Sequence, residues 1–425
     1  MIDDVFDQEA PRALAPRLTL AAASAKPRVS RQQADSRPST TSGPDLCSSK
    51  AVTQLRRNPE LERVILEDPL DPDAWLVYGD WLEEAGDPRG ELVAVQARHA
   101  RDPGNPELLA AQRALFRRHG DALLDGLHEY LSPRGRLGPL FRLSWEYGFI
   151  WTANVTAVGH SIDQFASGLR ALLAHPSARF LNVLALGAPP ENDWRRVISI
   201  LGETGDRPLR ILLLGDRAPA SPDPRPAFSP IGDLSTLWPA LPRLRCLELR
   251  GGAVTVGRIE LPELRELVIE TSALQREAVR SLCSRRWRHL EKLELWFGDR
   301  RCTSTLADLE LLFDGTLFPS LRHLGLRNCA FVDRICHALA GAKITGQLRV
   351  LDLSLGALTE VGANALLAAR SALSNLAILD LHHHYIAPGA AEGISELARF
   401  VDLSGGPHVF DGELDAGPPQ VWLDA

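Results

Sequence analysis

A six-residue template of three leucines, L-x-x-L-x-L, recurs along this 425-residue chain and limits the folds that it can adopt. Eight copies keep leucine or isoleucine at the three positions, and a ninth is degenerate. Successive copies start 28, 35, 20, 26, 31, 27, 28 and 22 residues apart. A template that returns at such intervals indicates repeated structural units. The copies begin at Leu181, Leu209, Leu244, Leu264, Leu290, Leu321, Leu348, Leu376 and Ala398.

Each copy predicts a short β-strand whose leucines point inward, followed by a helix or a loop. One strand and one helix cannot enclose a core, so the units must stack on one another. Pattern and spacing are typical of leucine-rich repeats, and they predict an α/β solenoid over residues 181–404. The 28-residue units resemble the ribonuclease-inhibitor type of repeat, with a helix expected around residues 358–367.

The array is predicted to be irregular. The unit that starts at Leu244 has only 20 residues, and its glycines and proline leave no room for a full helix. The 35-residue unit before it carries five prolines between residues 219 and 230, which predict a loop insertion. A weaker pair, Leu140 and Leu143, indicates a capping unit that starts near residue 135.

A small helical module is predicted before the repeats. Asp71-Pro72 and Asp87-Pro88 each place a capping acid before a proline that suits the first turn of a helix. Apolar residues from Trp75 to Ala85 recur at helical spacing and predict one buried face. Helices are expected near residues 58–67, 72–85, 88–99 and 105–118.

Two stretches resemble known families. The string D-W-L-E-E-A-G-D-P-R-G-E, which runs from Asp80 to Glu91 within a match over residues 58–98, resembles the bacterial repeat-companion domain. That resemblance implies a helical module that accompanies leucine-rich repeats, and it implies no activity. Residues 231–384 resemble an uncharacterised bacterial leucine-rich-repeat family, through the strings that begin at Gly232 and Leu379. This second resemblance implies a fold and again no activity.

The predicted organisation therefore has four parts. Residues 1–52 are rich in Ala, Arg, Ser, Pro and Thr and are expected to be a disordered arm. Residues 53–130 form the helical repeat-companion module, residues 131–405 form the leucine-rich-repeat domain, and residues 406–425 form a cap or tail. The arm is interpreted as a passive tail, or alternatively as a tether or export signal.

Composition narrows the classes of partner and the compartment. A net charge of −7 disfavours nucleic acid and anionic membranes, since both need a concentrated basic surface. The chain has six cysteines and no C-x-x-C pair, which favours a reduced, cytoplasmic protein. Acidic residues precede the apolar stretch 13–25, where a signal peptide needs positive charge.

Candidate binding residues occupy template positions 3, 5, 7 and 8, which are expected on the concave face of the sheet. Acids at position 5 are interpreted as ordinary repeat usage, or alternatively as an acidic strip for a basic partner. Trp296 and Phe297 are predicted to be a binding hot spot, unless one of them packs under the next loop. The candidate partner-binding residues are Glu248, Arg250, Glu266, Glu270, Lys292, Glu294, Trp296, Phe297, His323, Arg327, Asp352, Asp380 and His382.

No catalytic, cofactor or metal site is predicted. The sequence contains no nucleophile-elbow, zinc-protease, P-loop or dinucleotide-binding motif. Residues His382 to His384 end a strand, where side chains alternate, so at most two can converge. No cysteine or carboxylate was expected to complete a metal site with them.

The function predicted from these features is non-catalytic binding of a protein partner on the concave surface by a monomer. A secreted, host-directed effector is one alternative, and an enzyme with an unrecognised site is another.

Overall fold

The computed structural model describes residues 57–131, 138–203, 205, 207–215, 230–298, 301–387, 389 and 393–406. The predicted arm (1–52), the proline-rich segment up to residue 229 and the tail after residue 406 lie outside these residues. The described chain divides into two compact units. Residues up to Leu123, with Glu146–Gly148, form the first unit, and Leu124–Trp145 with the residues from Phe149 onward form the second.

Four helices make up most of the first unit, close to where the sequence predicts them. They are α1 (Pro59–Glu67), α2 (Pro72–Glu84), α3 (Arg89–Arg101) and α4 (Pro106–Leu123). The Asp71 side chain accepts the backbone N–H of Asp73 and so caps α2, which begins with a proline. Asp87 accepts the backbone N–H of Arg89 at 3.0 Å and also pairs with its guanidinium at 2.6 Å.

The core of the first unit forms on the predicted apolar face of α2. Trp75 and Tyr78 are fully buried, while Trp81 is half-buried and stacks on Tyr78 with ring centroids 5.5 Å apart. Two polar groups of this core have partners, which offsets the cost of removing them from water. The Trp75 indole donates to the Pro69 carbonyl at 2.8 Å, and the buried Glu62 carboxylate pairs with Arg57 at 2.6 Å.

Eleven strands of the second unit form one sheet in the order β1-β2-β3-β4-β6-β8-β9-β10-β11-β12-β13. From β2 to β13, neighbouring strands of this sheet pair in parallel. A separate parallel pair joins β5 to β7. The strands are β1 (Phe141–Glu146), β2 (Phe149–Val155), β3 (Val183–Leu186), β4 (Ile211–Leu214), β5 (Gly232–Asp233), β6 (Cys246–Gly251), β7 (Val254–Thr255), β8 (Glu266–Thr271), β9 (Lys292–Trp296), β10 (His323–Arg327), β11 (Val350–Asp352), β12 (Ile378–Asp380) and β13 (Phe400–Asp402).

Helices and 3₁₀ turns connect these strands. The helices are α5 (His128–Leu131), α6 (Ile162–Ala174), α7 (Trp194–Glu203), α8 (Arg276–Leu282), α9 (Glu310–Asp314), α10 (Val332–Ala340) and α11 (Glu360–Ala368). The 3₁₀ turns are Pro176–Ala178, Pro190–Asn192, Trp238–Ala240, Leu306–Leu309, Lys343–Gln347 and Ile394–Glu396. Helix α11 lies where a helix was predicted. No helix occurs within residues 252–265, all of which the structure describes, and this confirms the prediction for the short unit.

The leucines of the template form a ladder along the interior. The middle leucine of each strand pairs in register with that of the next, as Leu293 does with Leu324 and Leu324 with Leu351. These three side chains are at most 1% exposed. The second unit is therefore a mixed α/β, leucine-rich-repeat-like fold with a large, mainly parallel sheet.

Strands β1 and β2 are neighbours in the sheet and occupy the stretch where a capping unit is predicted. Only Tyr147 and Gly148 separate them, and both have positive φ, of 49° and 74°. Two such residues make a tight hairpin turn, in which glycine is favoured.

Among the described helices, none is both long and apolar enough to cross a bilayer.

Candidate functional site

One surface of the large sheet carries the polar side chains of the template, and we call it the polar face. It comprises positions 3, 5 and 7 of each strand, on the side opposite the buried leucines. Parallel register aligns these positions into rows, with neighbouring strands about 4.8 Å apart. The position-3 row includes Glu266, Lys292, His323, Val350, Ile378 and Phe400, and the position-5 row includes Glu248, Val268, Glu294, Gly325, Asp352, Asp380 and Asp402.

A charge cluster occupies the middle of the polar face. The Glu294 carboxylate is buried and lies 2.9 Å from Lys292 Nζ and 3.0 Å from His323 Nε2. Burial by itself would raise the pKa of Glu294, but the hydrogen bond from His323 and the charge of Lys292 outweigh burial and hold that pKa at about 2. Gly325 leaves room for this arrangement, since a Cβ there would lie 2.7 Å from Glu294 Cγ.

A second cluster combines an aromatic ring with a cation. Trp296 and Arg327 pair in register at position 7, next to Asp352 at position 5 of the following strand. The Arg327 guanidinium stacks over the Trp296 ring, with Cζ 4.2 Å from the centroid, and its Nε is 3.2 Å from Asp352 Oδ2. Arg327 also donates to Ser354 Oγ at 3.0 Å. Burial raises the pKa of Asp352, and the charge of Arg327 only partly offsets that increase. Trp296 is half-buried, so part of its ring faces outward.

The first strands of the predicted surface are similarly enclosed. Glu248 is buried at 6% exposure, and Glu266 is half-buried. Arg250 and Glu270 pair across β6 and β8 at 2.7 Å. In the centre of the face, two acids of the strip that sequence analysis considered are paired with cations, Glu294 with Lys292 and Asp352 with Arg327.

Phe297 does not lie on this face, and its predicted exposure is wrong. Its side chain is 1% exposed and packs edge-on against Phe331, with centroids 5.2 Å apart. Trp296 ends strand β9, and the side chain after it points to the opposite side because strand side chains alternate. The alternative interpretation, that one of the two aromatics packs inside, holds for Phe297.

The last two described strands present apolar and acidic side chains together. Ile378 and Phe400 pair in register at position 3 and are 39% and 59% exposed. Asp380 and Asp402 pair in register at position 5, two residues further along the same strands. Sequence analysis named Asp380 and His382 for this region but missed Ile378 and Phe400, although both occupy position 3 of the same template.

His382 lies beside these carboxylates. Its Nδ1 is 2.6 Å from Asp380 Oδ1, and the potential ligand atoms of Asp380, His382 and Asp402 all lie within 4.8 Å of one another. The expectation that no carboxylate would accompany the histidines is therefore wrong. The partner Asp402 lies 20 residues beyond His382 in sequence, and only the parallel register brings it near.

Comparisons with known proteins bear on the fold. No protein-family profile matches the chain, and no curated protein matches it. A crystal structure of a Bacteroides fragilis protein from a structural genomics consortium is similar with a TM-score of 0.54 and 20% identity, over 64% of this chain and 78% of that one. An internalin structure from Listeria monocytogenes has a TM-score of 0.30 and 14% identity, over 56% of this chain and 70% of that one. The first similarity shows a shared fold, and the second is too low to support any inference.

Proposed function

We propose that this chain is a non-catalytic protein-interaction module, built as a leucine-rich-repeat solenoid of ribonuclease-inhibitor-type units, whose partner docks on the polar face. The observation that carries the proposal is the alignment of outward side chains from successive units into rows on one side of the sheet. Stacked repeats offer a continuous surface of this kind, which suits an extended macromolecular contact.

The C-terminal strands support a particular class of partner. Exposed Ile378 and Phe400 offer apolar area, while Asp380 and Asp402 offer negative charge about 7 Å away, two strand residues further on. Aromatic and apolar anchors beside complementary charge are typical of interface centres. The proposed partner therefore presents a segment that combines apolar and basic side chains.

The cysteines and the chain's charge support the remaining parts of the proposal. Cys283, Cys329 and Cys336 are free thiols, and burial raises the pKa of Cys329 well above its ordinary value. Such a thiol is inert and structural. A cytoplasmic, monomeric protein that binds neither nucleic acid nor membrane remains the proposed setting, and the repeat-companion module remains a prediction without an assigned role.

A peptide-display selection against the full chain tests the proposal. We expect the selected 12-residue peptides to be enriched in Lys or Arg together with Leu, Ile or Phe. The Ile378→Ser/Phe400→Ser double variant should weaken a selected peptide by roughly 10-fold or more, because loss of a hot-spot side chain costs about 2 kcal/mol or more. Binding is measured by fluorescence anisotropy.

The Leu311→Ser variant is the matched control, since Leu311 is a 57% exposed apolar residue on α9 and not on the polar face. Its affinity for the same peptide should equal that of the wild type. Selected peptides without basic residues would contradict the proposed partner class. Equal binding by the double variant would contradict the proposed surface.

A further inference from the structure

Asp380, His382 and Asp402 form a group of three metal-ligating side chains at the end of the described sheet. Each contributes one potential ligand atom, an imidazole nitrogen or a carboxylate oxygen, and these three atoms lie within 4.8 Å of one another. All three side chains are half-buried, so an ion could reach them from solvent. None of these positions was assigned to a metal by the sequence.

The fold builds this group from two neighbouring strands. Asp380 and Asp402 are register partners, and His382 projects from the same side as Asp380 because it lies two residues later. Backbone N–H groups hold both carboxylates in place. Asp380 Oδ1 accepts the N–H of His382 at 3.0 Å, and Asp402 Oδ1 accepts the N–H of Ser404 at 2.8 Å.

The neighbouring histidines have other contacts, which makes His382 the only member of the triplet in this group. His384 is buried, and its Nδ1 accepts the backbone N–H of Ile386 at 3.0 Å. The His383 ring contacts the Gly405 carbonyl at 3.2 Å. The three consecutive histidines therefore have three different surroundings, as expected where a strand ends and side chains alternate.

We propose that Asp380, His382 and Asp402 bind a divalent first-row transition-metal ion such as Zn²⁺. Imidazole combined with carboxylates suits such ions better than Mg²⁺ or Ca²⁺, which prefer ligands that are all oxygen. Zinc bonds to nitrogen and carboxylate oxygen are about 2.0–2.2 Å long, so ligands of one ion lie within about 4.4 Å of one another.

Metal binding would replace the contact between His382 and Asp380. In the structure, His382 Nδ1 lies 2.6 Å from Asp380 Oδ1, within hydrogen-bond distance. On binding, the imidazole lone pair forms a bond to the ion and the proton leaves to solvent. Three protein ligands leave at least one coordination position for water or for a ligand from a partner.

Isothermal titration of the full chain with ZnCl₂ at neutral pH, with no peptide present, tests this proposal. We expect one tight site in the wild type that MgCl₂ or CaCl₂ does not occupy at the same concentration. His382→Ala and Asp402→Asn should each weaken it by at least the roughly 10- to 100-fold that loss of an outer-shell partner costs. Titration with CoCl₂ should give visible absorption bands that disappear in the same variants.

His337→Ala is the matched control, because His337 is an exposed histidine on α10 away from the group. It should bind Zn²⁺ as the wild type does. Circular dichroism establishes that each variant is folded, and either folded variant suffices to decide. A wild type that binds no Zn²⁺, or folded variants that bind it equally well, would overturn the proposal. Because no peptide is involved, this result is independent of the proposed partner binding.

Discussion

Glu294 illustrates how single residues on the polar face are held by charges from adjacent strands. Lys292 lies on its own strand, and His323 comes from the next strand in the stack. A carboxylate that is only 8% exposed would be destabilised in its ionised form if it lacked these partners. The ionised state therefore depends on the packing of two consecutive units.

The depressed pKa of Glu294 predicts acid sensitivity. Its pKa is about 2 in the folded protein against 4.5 for the ordinary side chain, so its ionised form stabilises the fold above about pH 4.5. That contribution, about 3 kcal/mol at most, should be lost as the pH falls from 4.5 towards 2. Urea unfolding across this range should show a steeper loss of stability in the wild type than in Glu294→Gln.

Glu291→Gln is the control for that experiment. Glu291 precedes the same strand but is exposed, in a surface pair with Arg265 at 2.5 Å. Exposed pairs contribute about 0–1 kcal/mol, so this variant should follow the wild-type pH dependence closely. Parallel pH profiles for the wild type and Glu294→Gln would contradict the role given to the Lys292 and His323 contacts.

At the residue scale, the template predicted which side chains share the polar face, but it did not predict which of those side chains contact one another. Position numbers alone placed Lys292, Glu294 and His323 on one face. They could not specify that the Lys292 and His323 side chains both turn to the Glu294 carboxylate, because side-chain torsions depend on the neighbouring strands. The prediction for Phe297 was wrong because the side chain at template position 8 was expected to point outward. Side chains alternate along a strand, so the side chain that follows Trp296 points inward.

Helices α2 and α3 show at the scale of the element why two glycines are needed. A Cβ on Gly90 would lie 2.7 Å from the Gly79 carbonyl oxygen and 2.8 Å from the Glu83 backbone nitrogen. A Cβ on Gly79 would lie 2.8 Å from Val93 Cγ1. The two backbones approach closely because neither glycine has a side chain, which gives a physical reason for part of the string that resembles the repeat-companion domain.

We expect Gly90→Ala to destabilise the α2–α3 pair. The added methyl group meets backbone atoms, which move only if the helices separate, and overpacking of this kind costs about 1–3 kcal/mol. Alanine regains up to about 1 kcal/mol in helix propensity, so the net loss should be about 1–2 kcal/mol. Hydrogen exchange of the full chain, followed in peptides that cover residues 72–101, measures this loss of stability. We expect faster exchange in Gly90→Ala than in the wild type.

Gly104→Ala serves as the control, because Gly104 is exposed, lies outside the helices, and a Cβ there would meet no atom within 4 Å. Hydrogen exchange of residues 72–101 in Gly104→Ala should match that of the wild type. Unchanged exchange in Gly90→Ala would mean that the helices adapt without cost.

The leucine ladder determines stability at the scale of the whole molecule. In a stack of units, each layer contacts mainly its neighbours, so a defect should weaken the fold locally and spread by one or two layers. Leu324 lies in the middle of the ladder, fully buried, with register partners Leu293 and Leu351.

Leu324→Ala should therefore cost about 2–5 kcal/mol, since it leaves a cavity in a closely packed core. Hydrogen exchange should accelerate most in β9, β10 and β11 and least in β2 and β3. Leu311→Ala, on an exposed leucine, should change stability by less than about 0.5 kcal/mol. Uniform acceleration over all strands would show that the unit unfolds as one block instead of layer by layer.

The sequence by itself determined the nine strands of the repeats, their order and the inward leucines, because each is a local pattern that recurs at recognisable intervals. It also determined the four helices of the first unit and the absence of a helix after Leu244, since capping residues, prolines and unit length act over a few positions. Only the tertiary structure decided the pairing of Asp380 and His382 with Asp402, the exposure of Ile378 and Phe400, and the burial of Phe297. Those features depend on register between units and on side-chain packing across strands, and neither is specified by the residues of one unit alone.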